Sequence, residues 1–127
     1  MFGETWSWAG TFRKTDKNIG VDWHHIGVRL RDLLNDVRYQ TERAIYPPDE
    51  IATRFHHRLV DIHPFPNGNG RHARMMADLL VQKMGQPCFT WGSKSLTETT
   101  ETRDRYITVL RAADHGEYQP LLAFVRS

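Results

Sequence analysis

The run Asn67-Gly68-Asn69-Gly70 stands directly ahead of an amphipathic segment, and that placement suits an anion. Two glycines let the backbone turn successive N–H groups toward one point, and a following helix adds its unpaired amides and the positive end of its dipole. Arg71 and Arg74 fall at i and i+3 in the first turn, so both project from one face beside this nest. Two guanidinium forks match a polyphosphate better than a single phosphate. The loop is not a Walker A sequence, because GxxxxGK[ST] is absent. A plainer reading of the same residues is a glycine turn followed by an Arg74–Asp78 ion pair at i, i+4. His63 ends the segment that leads into the loop. An unperturbed imidazole pKa of ~6.5 leaves it largely neutral at pH 7, able to act as general base for a hydroxyl beside bound phosphates. Taken alone, it is more simply a helix-capping or packed histidine.

These groups need rigid elements around them, and the hydrophobic pattern supplies helices. From His24 to Arg43, Ile26, Leu30, Leu33, Leu34 and Val37 recur at helical spacing. Pro47-Pro48-Asp49-Glu50 is a helix start, followed by the inward positions Ile51, Phe55, Leu59 and Ile62. Pro64 disfavours helical geometry at His63, so the helix must end there. A third helix is expected from near Arg71, with Gly85 as its stop. A fourth is expected over Leu96–Ala113 and a short one over Pro120–Val125, with Lys17–Asp22 the one stretch resembling strand. The fold class is all-α, in a single domain covering residues 1–127.

Composition excludes several alternatives. The 127 residues are 39% hydrophobic and 25% charged, too apolar for a disordered chain. No run approaches the ~18 apolar residues of a membrane span, and the first ten residues lack the pattern of a secretory signal. Cys88 is the only cysteine, which rules out an internal disulfide or a thiolate zinc site and favours a cytoplasmic location. The net charge of +2 arises wholly after residue 64, since the first 64 residues carry nine charges of each sign. No direct nucleic-acid binding is expected from so weak a basic surface.

The segment from His63 to Arg74, read as HPFPNGNGRHAR, closely resembles the HPFx(D/E)GNGRxxR motif of the Fic/Doc (Fido) family. Trp8-Ala9-Gly10 with Arg13, Phe55-His56-His57, and the stretch from Tyr106 to Phe124 are also similar. The likeness runs from about Trp6 to the end and is greatest to the subgroup called mobile mystery protein B. It implies a Fic-type helical domain that transfers AMP from ATP to a side-chain hydroxyl (Ser, Thr or Tyr) of a target protein. Some relatives use other nucleotides, phosphocholine or phosphoryl transfer. Carried over by position, His63 is the base, and Phe65 anchors the loop. Gly68, Asn69 and Gly70 form the anion hole, and Arg71 and Arg74 hold the polyphosphate, Arg74 toward its far end. The family's acidic residue ligates Mg²⁺ (or Mn²⁺), and Asn67 stands in its place, so weak metal binding is implied. A short β-hairpin flap that holds the target by strand addition is expected at Asn18, Ile19, Gly20 and Val21.

The resemblance also bears on control. Many members carry an inhibitory (S/T)xxxE(G/N) helix whose glutamate meets the second motif arginine. Thr97 to Glu101 has that spacing, but Thr102 follows where Gly or Asn is required. The sequence opens almost at Trp8, where members of the family have helices upstream. Either those helices lie outside these residues, or a separate antitoxin-like protein provides inhibition. The alternative to an enzyme is a catalytically weak nucleotide- or partner-binding module, for which Asn67 is the main argument.

Other residues point elsewhere less strongly. His56, His57, His63 and His72 with Asp61 could be collected into a zinc site, but adjacent His56 and His57 face different sides of a helix and HExxH is absent. Asp61, one turn after His57, is expected to pair with it or with solvent. Cys88 has no basic neighbour to make it reactive. The four tryptophans read as core and lid. Tyr106 is a candidate adenine contact, although an aromatic at helical spacing is more often core.

Overall fold

The computed structural model describes Phe12, residues 20–93 and residues 99–127. Asp22 opens the first element by accepting the His24 N–H at 2.9 Å, which caps a 3-10 turn over Trp23–His25. Helix α1 follows over Ile26–Glu42, burying the stripe Ile26, Leu30, Leu33 and Val37. Helix α2, Pro48–Ile62, has proline in its first turn, where no intrahelical donor is lost, and Asp49 and Glu50 at its positive end. It is the central element, packing on α1, on α3 (Asn69–Lys83) and on α5 (Gln119–Val125). Ala73 and Ala77 of α3 are fully buried, and their small side chains permit a close approach of helix to helix.

Helix α4, Thr99–Asp114, packs chiefly on α5. Its expected first residues, Leu96 to Glu98, lie outside the described residues. The irregular link before it is tied down by Thr90 and Trp91, whose N–H groups both donate to the Val125 carbonyl, at 2.8 and 3.1 Å. Arg126 closes the far end of the molecule. Its guanidinium meets both carboxylate oxygens of Asp49, at 2.9 and 2.6 Å, and the carbonyls of Pro87 and Cys88. Trp23 and Trp91 pack against the core as expected, whereas Trp6 and Trp8 lie outside the described residues.

The all-α expectation holds among the described residues, with one shift that matters. Helix α3 begins at Asn69, two residues before the expected Arg71, because Gly68 takes a left-handed conformation (φ 73°) at the N-cap. The amides of Asn69, Gly70 and Arg71 thereby become the open first turn. Gly85 ends this helix as expected, with φ 88° and Gln86 N–H returning to the Val81 carbonyl. No strand occurs among the described residues. Of the expected flap, Asn18 and Ile19 lie outside them, and Gly20 and Val21 form a bend. No helix among the described residues is long and apolar enough to cross a membrane.

Candidate functional site

His63 is the residue at which α2 stops. Its backbone sits in the left-handed region (φ 53°, ψ 60°), with its N–H still donating to Leu59 at 3.2 Å. A non-glycine residue there carries about 1–3 kcal/mol of strain, tolerated where surrounding structure over-determines it. Pro64 and Phe65 supply that structure: both are buried, and Phe65 meets the His72 ring edge-on at 4.7 Å and the Phe12 ring at 5.9 Å. Phe65 is therefore set in the core, as the resemblance implied.

Asn69 closes the loop. Its Oδ1 accepts the Phe65 N–H at 2.9 Å, and its Nδ2 donates to the Phe65 carbonyl at 2.8 Å. The oxygen and one amide hydrogen of the buried side chain are thus engaged with Phe65, so Asn69 faces an anion chiefly with its backbone N–H. Its side chain instead holds the turn between His63 and α3. Asn67, Gly68 and Arg71 are exposed around that turn, and Gly70 is half-buried. The bend at Gly20-Val21 reaches the same end of α2, where Val21 N–H donates to the Ile62 carbonyl at 3.4 Å.

Arg74 does not make the ion pair with Asp78 that spacing allowed. Asp78 Oδ1 accepts instead from Trp91 Nε1 at 3.0 Å and from the Phe89 N–H at 3.3 Å. Burial pushes the Asp78 carboxyl up, and these donors oppose the shift. The Arg74 guanidinium lies over the Tyr106 ring, 5.1 Å from its centroid. It also lies against Gly70, where an added Cβ would stand 3.3 Å from Arg74 Nη1.

Tyr106 is occupied from below. Its hydroxyl is 2.8 Å from Nε2 of His56, and its ring contacts Trp91 and Phe124. This places the candidate adenine contact as a half-buried wall behind Arg74. His56 is fully buried, and burial, then the charges of Arg74 and His57, push its pKa down to about 3. Its Nδ1 has no hydrogen-bond partner among the described residues, a feature that costs about 1–3 kcal/mol. Burial likewise pushes His72 down to about 4, and burial raises Tyr106 against the opposing charge and side-chain hydrogen bond of Arg74.

The remaining histidine expectations divide. His56 and His57 do face different sides, but His57 pairs with Asp114 at 2.7 Å and not with Asp61, which is exposed. Asp114 lies 57 residues from His57, beyond the reach of any local spacing rule. No group of three or more His, Cys, Asp or Glu able to hold a metal occurs among the described residues. A shallow cleft of about 390 Å³, lined by Glu50, Arg54, Glu117 and Tyr118 among others, lies toward the other end of α2 from the motif loop. Motif reading did not reveal the His56–Tyr106 contact. The available signal was a histidine among Ala52, Phe55 and Leu59 on an apolar helix face.

Comparison with known proteins bears on this arrangement. The protein adenylyltransferase fic-1 of Caenorhabditis elegans is 29% identical over 121 residues, covering 92% of this chain and 22% of its own length. The protein adenylyltransferase Fic of Nematostella vectensis is 30% identical over 123 residues, covering 92% of this chain and 26% of its own. The chain thus spans about a quarter of the length of these curated relatives. The solved structure of a Fic-1 fragment from C. elegans matches with a TM-score of 0.74 at 30% identity, over 93% of this chain and 33% of that one. A Fic domain containing signaling protein from Bacteroides thetaiotaomicron shares the fold, with a TM-score of 0.76 at 17% identity over 91% of this chain and 50% of that one. The model of the Fic/DOC family matches residues 1–81, which include the whole loop from His63 to Arg74, and on that match the chain belongs to the Fic/DOC family.

Proposed function

We propose that this domain is a protein adenylyltransferase that moves AMP from ATP to a Ser, Thr or Tyr hydroxyl of a target protein. The observation that carries the reading is the turn at the start of α3. Gly68 is left-handed, Asn69 is locked to Phe65, and the Arg74 guanidinium lies against Gly70 beside the open first-turn amides. That surface suits a polyphosphate. The names of the relatives support the choice of an adenylyl donor.

In this reading the backbone amides of Gly68, Asn69 and Gly70 receive the phosphates, and Arg71 and Arg74 neutralise the rest. The target hydroxyl oxygen attacks the α-phosphorus, its proton passes to His63, and the bond to the leaving pyrophosphate breaks. The product is a phosphodiester of AMP with the target side chain. The segment containing Asn18, Ile19, Gly20 and Val21 is the surface proposed to hold the target chain, and Val21 is bonded next to His63 at Ile62.

The residues here do not make a protein-held metal site. Asn67 offers one neutral oxygen, and the loop from His63 to Arg74 contains no carboxylate. Mg²⁺ or Mn²⁺, when present, would offset phosphate charge, drawing most of its ligands from the triphosphate and water. The same residue supports the second reading, a nucleotide- or partner-binding module with weak turnover. A cytoplasmic setting, control by a separate antitoxin-like protein and membership of the mobile mystery protein B subgroup complete the proposal.

The test is incubation of the 127-residue chain with α-labelled ATP, divalent metal and candidate acceptor proteins. Label that stays on a protein after denaturation is expected. ATP binding without any transferred label would leave the binding-module reading in its place.

A further inference from the structure

We propose that His56 and Tyr106 are positioning residues for Arg74, a partly buried polar relay that holds the guanidinium against the anion nest. The proposal rests on the phosphate role given to Arg74 above and extends it to two side chains outside the motif.

The relay has a fixed base. His56 comes from the buried face of α2, and Tyr106 comes from α4, 50 residues later. Because His56 Nδ1 has no partner among the described residues, the 2.8 Å contact between Nε2 and the Tyr106 hydroxyl is the hydrogen bond that orients the imidazole. That bond in turn fixes the phenol, which Trp91 and Phe124 flank. The phenol ring carries Arg74 at 5.1 Å, and the absence of a side chain at Gly70 leaves the space in which its Nη1 lies.

An arginine left to itself samples many rotamers, and holding it in place before the ligand arrives reduces the ordering cost of binding. A fully buried imidazole with one unpaired nitrogen is a poor choice for packing alone, since an apolar side chain would avoid the loss. A polar group that stays uncharged suits this place, because a cation beneath the ring would oppose Arg74. Burial, which holds the His56 pKa near 3, keeps it neutral at ordinary pH.

The experiment is calorimetric titration of the whole chain with ATP. Tyr106→Phe keeps the ring and removes the hydroxyl, and it should weaken ATP binding about 3–10-fold, the usual range for one hydrogen bond. His56→Leu should do the same, and His56→Gln, whose amide reaches the Nε2 position, should restore binding to within about twofold. In an Arg74→Ala background neither substitution should add a further loss, because the group being positioned is gone. Unchanged binding by Tyr106→Phe, or an equal loss with and without Arg74, overturns the proposal. Should His56→Leu not fold, Tyr106→Phe and its pairing with Arg74→Ala carry the test alone. If Arg74→Ala itself binds ATP like the parent, the phosphate role of Arg74 fails and the relay with it. A loss in Arg74→Ala without one in Tyr106→Phe leaves that role standing and removes the relay alone.

Discussion

Two adjacent histidines on α2 meet opposite fates. His56 points into the protein toward Tyr106 and, through it, Arg74 and the motif loop. His57 points toward the turn after α4, where Nε2 meets Asp114 at 2.7 Å and Nδ1 lies 3.5 Å from the Tyr118 hydroxyl. The first contact is anchored on a fully buried imidazole, whereas the Asp114 side chain is 56% exposed. Nearby, Arg54 lies over both Tyr46 and Tyr118, at 4.3 and 4.2 Å, and pairs with Glu50 at 2.9 Å. The region around His57 thus fastens helices with its charges already matched within the protein. The motif side keeps its arginines at the surface of a nest whose amides are open. Charge that is satisfied internally builds stability, and charge that awaits a partner builds a site.

The largest test of this contrast is at His63. His63→Ala should leave ATP affinity nearly unchanged and lower the transfer rate by about 10²–10⁴-fold, the usual range for a general base. Steady-state labelling together with a binding isotherm checks it, and equal transfer by variant and parent would remove His63 from that role.

Acid should act through the buried imidazoles. His56 and His72 bind a proton more weakly folded than unfolded, so below the unfolded value of 6.5 the unfolded chain holds more protons. Stability is fully present above that pH and falls as pH falls toward about 4 and about 3. Between pH 6.5 and 5, His56 alone should cost about 2 kcal/mol. Denaturant midpoints measured across this range should fall, and the fall should shrink in His56→Leu. A parallel decline in that variant would show the loss to arise elsewhere.

Metal dependence should sharpen the reading of Asn67. In a wet site with an effective dielectric of ~20, a charge pair at ~4 Å is worth up to about 4 kcal/mol before desolvation offsets most of it. A net gain of about 1–2 kcal/mol corresponds to roughly 5–30-fold in affinity. Asn67→Asp should therefore lower the Mg²⁺ or Mn²⁺ concentration needed for transfer by that factor. Metal titrations of transfer that overlay those of the parent would show that Asn67 does not face the ion.

The smallest effect belongs to the region around His57. Asp114→Asn should cost about 0.5–1 kcal/mol of stability, because the carboxylate is half in water and its pairing is screened. ATP affinity and transfer should not change. A loss of ATP binding in this variant would mean that the two regions are coupled through α4.

How much could be read before folding depends on distance along the chain. The loop from His63 to Gly70 was legible because its rules are local. Proline at 64 stops a helix, two glycines let the backbone turn its N–H groups toward one point, and two arginines three apart share a face. The α1 stripe and the acidic start of α2 were legible for the same reason. The exact start of α3 was not, since extending it back to Asn69 depends on the amide of Asn69 closing on Phe65 in a buried setting. Asp61 was a reasonable partner for His57 by spacing, but helix packing brought Asp114 closer.

The sequence by itself therefore determined the helices, the glycine turn ahead of α3 and the membership those twelve residues signal. Tertiary structure decided which charges were consumed and which stayed free. Asp78 was taken by Trp91 and the Phe89 amide, leaving Arg74 to lie on Tyr106, and Tyr106 to be held by His56 from 50 residues away. Local spacing determines which groups can meet within a turn or two of helix. Only packing, which desolvates some pairs and separates others, selects among partners distant in sequence.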